Sequence, residues 1–133
     1  AGERLVDAPL GGEGSSFHGE GVTVTRTIAV DNAAGVGRGV AVVELDGVET
    51  VRCLEPDFTR LRAFGPINVT AEGSVEARCD FVSRFFAPSL GIDEDPVTGV
   101  AHCSLAPFWG ERLGIDQMVG HQLSRRGGVV RVR

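Results

Sequence analysis

The densest run of chemically capable residues is Glu94-Asp95-Pro96-Val97-Thr98-Gly99-Val100-Ala101-His102, which places two carboxylates, a proline, a glycine and a histidine within nine positions. One reading is purely structural. Asp95 before Pro96 is a common turn pair, Thr98 a common helix cap, and acidic residues ahead of a helix interact well with its positive end. The other reading is chemical. If a helix starts at Thr98–Gly99, its first N–H groups point outward without partners and can hold a carboxylate or phosphate. Gly99 has no side chain to block the approach. Asp95 lies just upstream, within reach of the same small anion, and is the candidate acid/base group. His102, on the first turn, either faces that pocket or is a satisfied, partly buried histidine.

Other chemistries have weaker support. Asp95, His102 and His121 could form a metal triad only through a fold contact, because no HExxH or Cys/His spacing is present. Cys103 falls on an apolar helix face, where a free cysteine usually behaves as a small hydrophobe. Ser83 and Ser104 lack the flanking glycines of a nucleophile elbow. A second cluster, Gln122-Leu123-Ser124-Arg125-Arg126-Gly127-Gly128, reads either as a solvated end or as a substrate contact. In the latter case Gln122 or Ser124 bonds the substrate, and the arginines help to hold its carboxylate.

Composition narrows the options. The 133 residues are 42% hydrophobic, enough for one domain with a real core. A net charge of -5 argues against nucleic acid as a partner. All 13 basic residues are arginine, so no lysine Schiff base forms on this chain, and with no tyrosine present acid/base work falls to Asp, Glu, His or Cys. Three dispersed cysteines write neither a CxxC pair nor a disulfide framework. No apolar run reaches the roughly 18 residues of a membrane span. The first residues lack a basic-then-apolar export pattern, so a cytoplasmic protein is the default expectation.

The elements that must position the site follow from pattern. Residues 1–21 read as a flexible segment or linker, with a short strand near Arg4–Asp7. Val22–Val30 is a β-branched strand, and Val40–Leu45 a strand buried on both faces. A short helix is expected near residues 48–54 and a second after Pro56. Ile67–Ala71 and Val75–Phe85 read as strands. Val100–Leu113 is the strongest helix, with apolar residues at helical spacing and Gly114 as its stop, although Pro107 predicts a kink or a division. Arg84, among apolar strand neighbours, demands a carboxylate, with Asp95 and Glu94 as first candidates. One last strand covers Gln122–Arg133, interrupted at Gly127–Gly128. The whole is α+β, a mixed or antiparallel sheet packed on the helix.

Three stretches carry a family resemblance: LEPDFTRL at 54–61, DFVSRFFAPSLGIDEDPVTGVAHCSLAPFWGERLG at 80–114, and QLSRRGG at 122–128. Together they resemble the second half of PhzF-family, phenazine-biosynthesis-like proteins. The resemblance implies a diaminopimelate-epimerase-like domain over residues 22–133, a curved mixed sheet wrapped around a central helix. The C-terminal strands of that domain are expected to be partly missing. It also implies an isomerase that moves a proton on a small cyclic or amino-acid-like carboxylate, without metal or organic cofactor, in a cleft between two domains. Asp95 then matches the second-domain aspartate of the cleft. Gly99 and Val100 match the helix start whose N–H groups hold the substrate carboxylate, with Thr98, His102 and Ser124 as further binding candidates. The family usually carries serine where Val100 stands, so any side-chain contact there is lost. The family's first-domain glutamate and glycine-histidine pair have no counterpart here. The expected partner is therefore a complementary first domain or a second copy of the chain, with no nucleic acid and no membrane. A non-catalytic small-molecule-binding or structural domain that keeps EDPVTG for folding is the alternative.

Overall fold

The computed structural model describes residues 3–5, 17–18, 24–30 and 40–133. In chain order the elements are β1 (Glu3–Leu5), β2 (Phe17–His18), β3 (Val24–Val30), β4 (Val40–Leu45), α1 (Val48–Arg52), β5 (Glu55–Pro56), α2 (Phe58–Leu61) and β6 (Ile67–Glu72). They continue with β7 (Phe81–Ala87), a single 3-10 turn at Pro88–Leu90, β8 (Ile92–Asp95), α3 (Gly99–Leu113), β9 (Met118–Gln122) and β10 (Gly128–Val132). Strands β2 and β5 form a small separate pair, and the main mixed sheet runs β1-β3-β4-β6-β7-β9-β10, with β8 also on β7. Strand pairs β4–β6 and β7–β9 are parallel, the rest antiparallel. The sheet curves around α3 as the central helix, so the architecture is the expected α+β one.

The central strands are almost continuously buried because both faces are covered. Register sorts their residues. Val42, Asn68, Thr70, Phe81, Ser83 and Phe85 line the face toward α3, and Val42 and Phe81 pack with Leu105, Phe108, Trp109 and Met118 of the helix and β9. Val43, Val69, Ala71, Val82 and Phe86 line the other face and pack with Val51, Leu54 and Leu61 from α1, α2 and their link. Leu105 is 0% exposed and Phe108 4% exposed, which places the apolar stripe of α3 inside.

Helix α3 buries Ala101, His102, Ser104, Leu105, Phe108 and Trp109, positions that recur on one side at helical spacing. Trp109 Nε1 donates to Thr70 Oγ1 at 2.9 Å, which satisfies the one polar atom of the largest buried ring. At the far end, Arg112 lies in the last turn, where its charge suits the helix dipole, pairs with Glu44 on β4 and lies over the Phe108 and Trp109 rings.

Four expectations need correction. Pro107 does not divide the helix, which runs unbroken from Gly99 to Leu113. Pro107 lies on the exposed side, where water can reach the Cys103 carbonyl that loses its donor. Cys103 is itself exposed and packs in no core. Residues 75–80 form turns, and β7 begins only at Phe81. Gly73 explains the turn, since a Cβ there would meet the Cys79 carbonyl oxygen at 2.1 Å. Finally, the C-terminal strand is two strands, β9 and β10, joined as an antiparallel hairpin with Gly127 at φ 72°.

Candidate functional site

Strand β7 is bordered on one side by β6 over Phe81–Phe86. Its other side is shared. Strand β9 pairs with Phe81–Ser83, and β8 pairs with Phe85–Ala87. Arg84 therefore sits where one neighbour ends and the other begins. Asp95 lies opposite Phe85 and Gln122 opposite Ser83, so the last residues of β8 and β9 converge at this split on the face toward α3. Helix α3 starts immediately above it, at Thr98–Gly99. The topology thus brings a helix N-terminus and the ends of two strands to one point.

Three polar side chains knit the point together. Gln122, 1% exposed, accepts from the Thr98 N–H at 2.9 Å and donates through Nε2 to the Asp95 carbonyl at 2.8 Å and to Thr98 Oγ1 at 3.0 Å. Thr98 Oγ1 donates to Asp95 Oδ2 at 2.5 Å. Ser124 Oγ donates to the Pro96 carbonyl at 2.7 Å and accepts from the Gly127 N–H at 3.0 Å. Packing completes the join: a Cβ on Gly128 would lie 2.1 Å from Val97 Cγ2, so only glycine lets β10 approach the loop this closely. The EDPVTG and QLSRRGG stretches are one folded unit.

Thr98 is the N-cap residue of α3, but its side chain does not cap the helix. Its hydroxyl is turned to Asp95 instead. The N–H groups of Gly99 and Val100 therefore have no side-chain cap, both residues are exposed, and nothing lies within 4 Å of where a Gly99 Cβ would stand. Asp95 is half-buried beside them.

The other sequence candidates are placed differently. His102 is 4% exposed and lies inside, with its ring centroid 5.8 Å from that of Phe81. Its Nδ1 is 2.7 Å from the Thr98 carbonyl, which makes Nδ1 the protonated nitrogen and leaves Nε2 buried without a partner among the described residues. Burial lowers its pKa, and the bond to the Thr98 carbonyl opposes that shift only in part. His102 braces the first turn of α3 from beneath and does not join the exposed rim of Gly99 and Val100. Ser124 spends its hydroxyl on the Pro96 loop. His121 pairs with Val82 and so belongs to the sheet face opposite Asp95. Asp95, His102 and His121 are not brought together, and among the described residues no three His, Cys, Asp or Glu side chains are grouped to hold a metal. No described helix is long and apolar enough to cross a membrane. Arg84 does find its carboxylate. Nε and Nη2 reach Glu94 at 2.7 and 3.0 Å, while Nη1 reaches the Leu54 and Val51 carbonyls at 2.7 and 3.2 Å, closing the end of α1.

A family model described as phenazine biosynthesis-like protein, PhzC-PhzF, matches residues 16–133. The chain belongs to the PhzF family. Relatives include an uncharacterised isomerase of Pseudomonas aeruginosa, 49% identical over 89 residues that make up 65% of this chain and 33% of the relative. An uncharacterised isomerase of Halalkalibacterium halodurans is 38% identical over 94 residues, 69% of this chain and 35% of the relative. The chain thus spans about a third of the length of these PhzF-family relatives. Among solved structures, a PhzF-family phenazine biosynthesis protein of Enterococcus faecalis superposes with a TM-score of 0.71 at 36% identity, over 84% of this chain and 40% of that one. A PhzC/PhzF protein of Clostridium difficile gives 0.69 at 36% identity, over 82% and 39%. The PhzF fold is therefore shared at both sequence and backbone level.

Proposed function

We propose that this chain supplies one side of a cofactor-independent proton-transfer site, as one half of a PhzF-like isomerase acting on a small cyclic or amino-acid-like carboxylate. The observation that carries this reading is the start of α3, where uncapped N–H groups at Gly99 and Val100 stand beside Asp95. The N–H groups would take the substrate carboxylate, aided by the positive end of a 15-residue helix. Asp95 would move a proton or hold the group next to the reacting carbon. Thr98 and Ser124 hold the loop that carries Asp95, and His102 supports the turn beneath. The opposing base would come from a complementary first domain or a second copy of the chain. Two groups on opposite walls can hold both sides of a planar centre and exclude water, which one wall alone does not.

The dense bonding among Asp95, Thr98 and Gln122 favours a second reading, in which the motif serves folding and the domain binds without catalysis. Titration of the isotope-labelled chain with small cyclic amino-acid-like carboxylates separates binding from no binding through the Gly99 and Val100 amides. Turnover of the same compounds, with and without a PhzF first domain, then separates an isomerase half from a binding module. Absence of any amide response removes both the binding and the isomerase readings.

A further inference from the structure

The hydrogen bonds around Gln122 have a fixed direction. Its amide oxygen faces the Thr98 N–H, which can only donate, at 2.9 Å. Its nitrogen faces the Asp95 carbonyl, which can only accept, at 2.8 Å. Two backbone groups on opposite sides therefore give the same orientation of the amide. Nε2 has a second hydrogen, and Thr98 Oγ1 lies 3.0 Å from that nitrogen as its acceptor. A threonine hydroxyl has one hydrogen. With Gln122 donating into the oxygen, that hydrogen goes to Asp95 Oδ2, 2.5 Å away. Asp95 Oδ2 is thereby committed as an acceptor, and among the described residues no donor reaches Oδ1.

We infer that Gln122 is a positioning residue for Asp95: its buried amide aims the Thr98 hydroxyl at Oδ2 and leaves Oδ1 as the oxygen that takes and returns a proton. The inference deepens the proton-transfer reading above and rests on it for the meaning of Oδ1. A proton taken from the substrate breaks its bond there, leaves the electron pair on the substrate and forms an O–H bond at Oδ1, while Oδ2 continues to accept from Thr98; its return reverses both changes. Neither Thr98 nor Gln122 changes its proton count. The relay therefore orients the carboxylate without passing a proton into the protein. Burial of Gln122 at 1% exposure keeps water from competing for the amide, so the polarity of the chain of bonds is held by the fold.

Nuclear magnetic resonance on the full chain tests this directly. In the wild type, couplings across hydrogen bonds are expected from the Thr98 amide nitrogen to the Gln122 side-chain carbonyl, and from Gln122 Nε2 to the Asp95 carbonyl carbon. The Thr98 hydroxyl proton should be visible and slow to exchange. Gln122→Met, of similar length but without donors, should speed that exchange by about fivefold to tenfold, the equivalent of one hydrogen bond. Thr98→Ser should retain the slow hydroxyl, and Thr98→Val should shift the Asp95 carboxyl carbon resonance. If Gln122→Met does not fold, the wild-type couplings still decide. Absence of both couplings in the folded wild type, or a Thr98 hydroxyl indifferent to a folded Gln122→Met change, overturns the inference. Failure of carboxylate titration at Gly99 overturns the proton-transfer reading instead, so the two failures are distinct.

Discussion

Glu94 and Asp95 are adjacent in the chain, yet their carboxylates serve opposite faces of the sheet. Glu94 pairs with Phe86 in register and turns to Arg84 on the α1 side, whereas Asp95 pairs with Phe85 and turns to the start of α3. The strand period of two separates them. Glu94 is thereby spent on an ion pair whose side chains are 11% and 18% exposed, and Asp95 is left at the rim of the helix terminus.

That division predicts the behaviour of Asp95→Asn. Asparagine keeps the size and an oxygen to accept from Thr98, but loses the charge and the proton. In a complete two-domain assembly we expect turnover to fall on the order of 10²-fold or more, as for loss of a placed acid/base. Stability should change by about 1 kcal/mol or less. Melts and turnover on the same samples check this. A large loss of stability with unchanged activity per folded molecule would make Asp95 a turn residue.

Arg84→Met should do the reverse. It strands Glu94 in a half-buried site and removes the donor from the Val51 and Leu54 carbonyls. The expected loss is about 2–3 kcal/mol, below the range for fully buried pairs because both side chains keep some solvent. Denaturant unfolding measures it. Carboxylate binding at Gly99 by the remaining folded protein should be unchanged.

Glycines 99 and 128 should part ways. Alanine at 128 drives a Cβ into Val97 and is expected to destabilise by about 1–3 kcal/mol while shifting the EDPVTG loop. Alanine at 99 meets nothing within 4 Å and should leave the melting temperature nearly unchanged. Its methyl would instead stand where a carboxylate approaches. Ligand titration of Gly99→Ala should therefore show weakened binding in a fully folded chain, and undiminished affinity would move the binding site elsewhere.

His102 predicts an acid limit. Burial lowers its pKa from the ordinary 6.5. The unfolded chain takes up this proton near 6.5, and the folded chain only at lower pH. Between those values the unfolded state holds more protons, so stability is full above about 6.5 and declines as pH falls below it. His102→Asn keeps a donor toward the Thr98 carbonyl and does not titrate. Compared with that variant, the wild type should lose up to about 1.4 kcal/mol more per pH unit across this window. Parallel slopes would show that His102 charges freely in the fold.

The helix, the buried strands and the Arg84–Glu94 pair were legible because each rests on local periodicity or on a rule about buried charge. The stretch 94–102 was legible as a helix entry, but the direction of the Thr98 side chain was not. A threonine before a helix usually turns inward to cap it, and here a distant amide turns it to Asp95. Gln122 was visible only as a polar residue near arginines. Its place behind the site depends on β9 pairing in parallel with β7, a contact between segments about 40 residues apart that no local pattern encodes. Residues 75–80 misled because Val75, Ala77 and Cys79 alternate like a strand, while Gly73 and the contacts of Asp80 with β9 impose turns. The expectations for residues 1–21 lie largely outside the described residues.

The shared flank of β7 also has a consequence for the order in which the molecule is put together. Gln122 closes bonds to residues 24 and 27 positions earlier in the chain. During synthesis, Asp95 and all of α3 join the chain before the side chain that fixes their junction. The helix can form on its own schedule, but its first turn acquires its geometry only when β9 docks. For the same reason, a local opening of the β9–β10 hairpin in the mature protein would release the Thr98 hydroxyl and the EDPVTG loop together, and would withdraw Met118 from the core layer on α3. The N-terminal end of α3 thus depends on a strand made after it, and loses its geometry whenever that strand lets go.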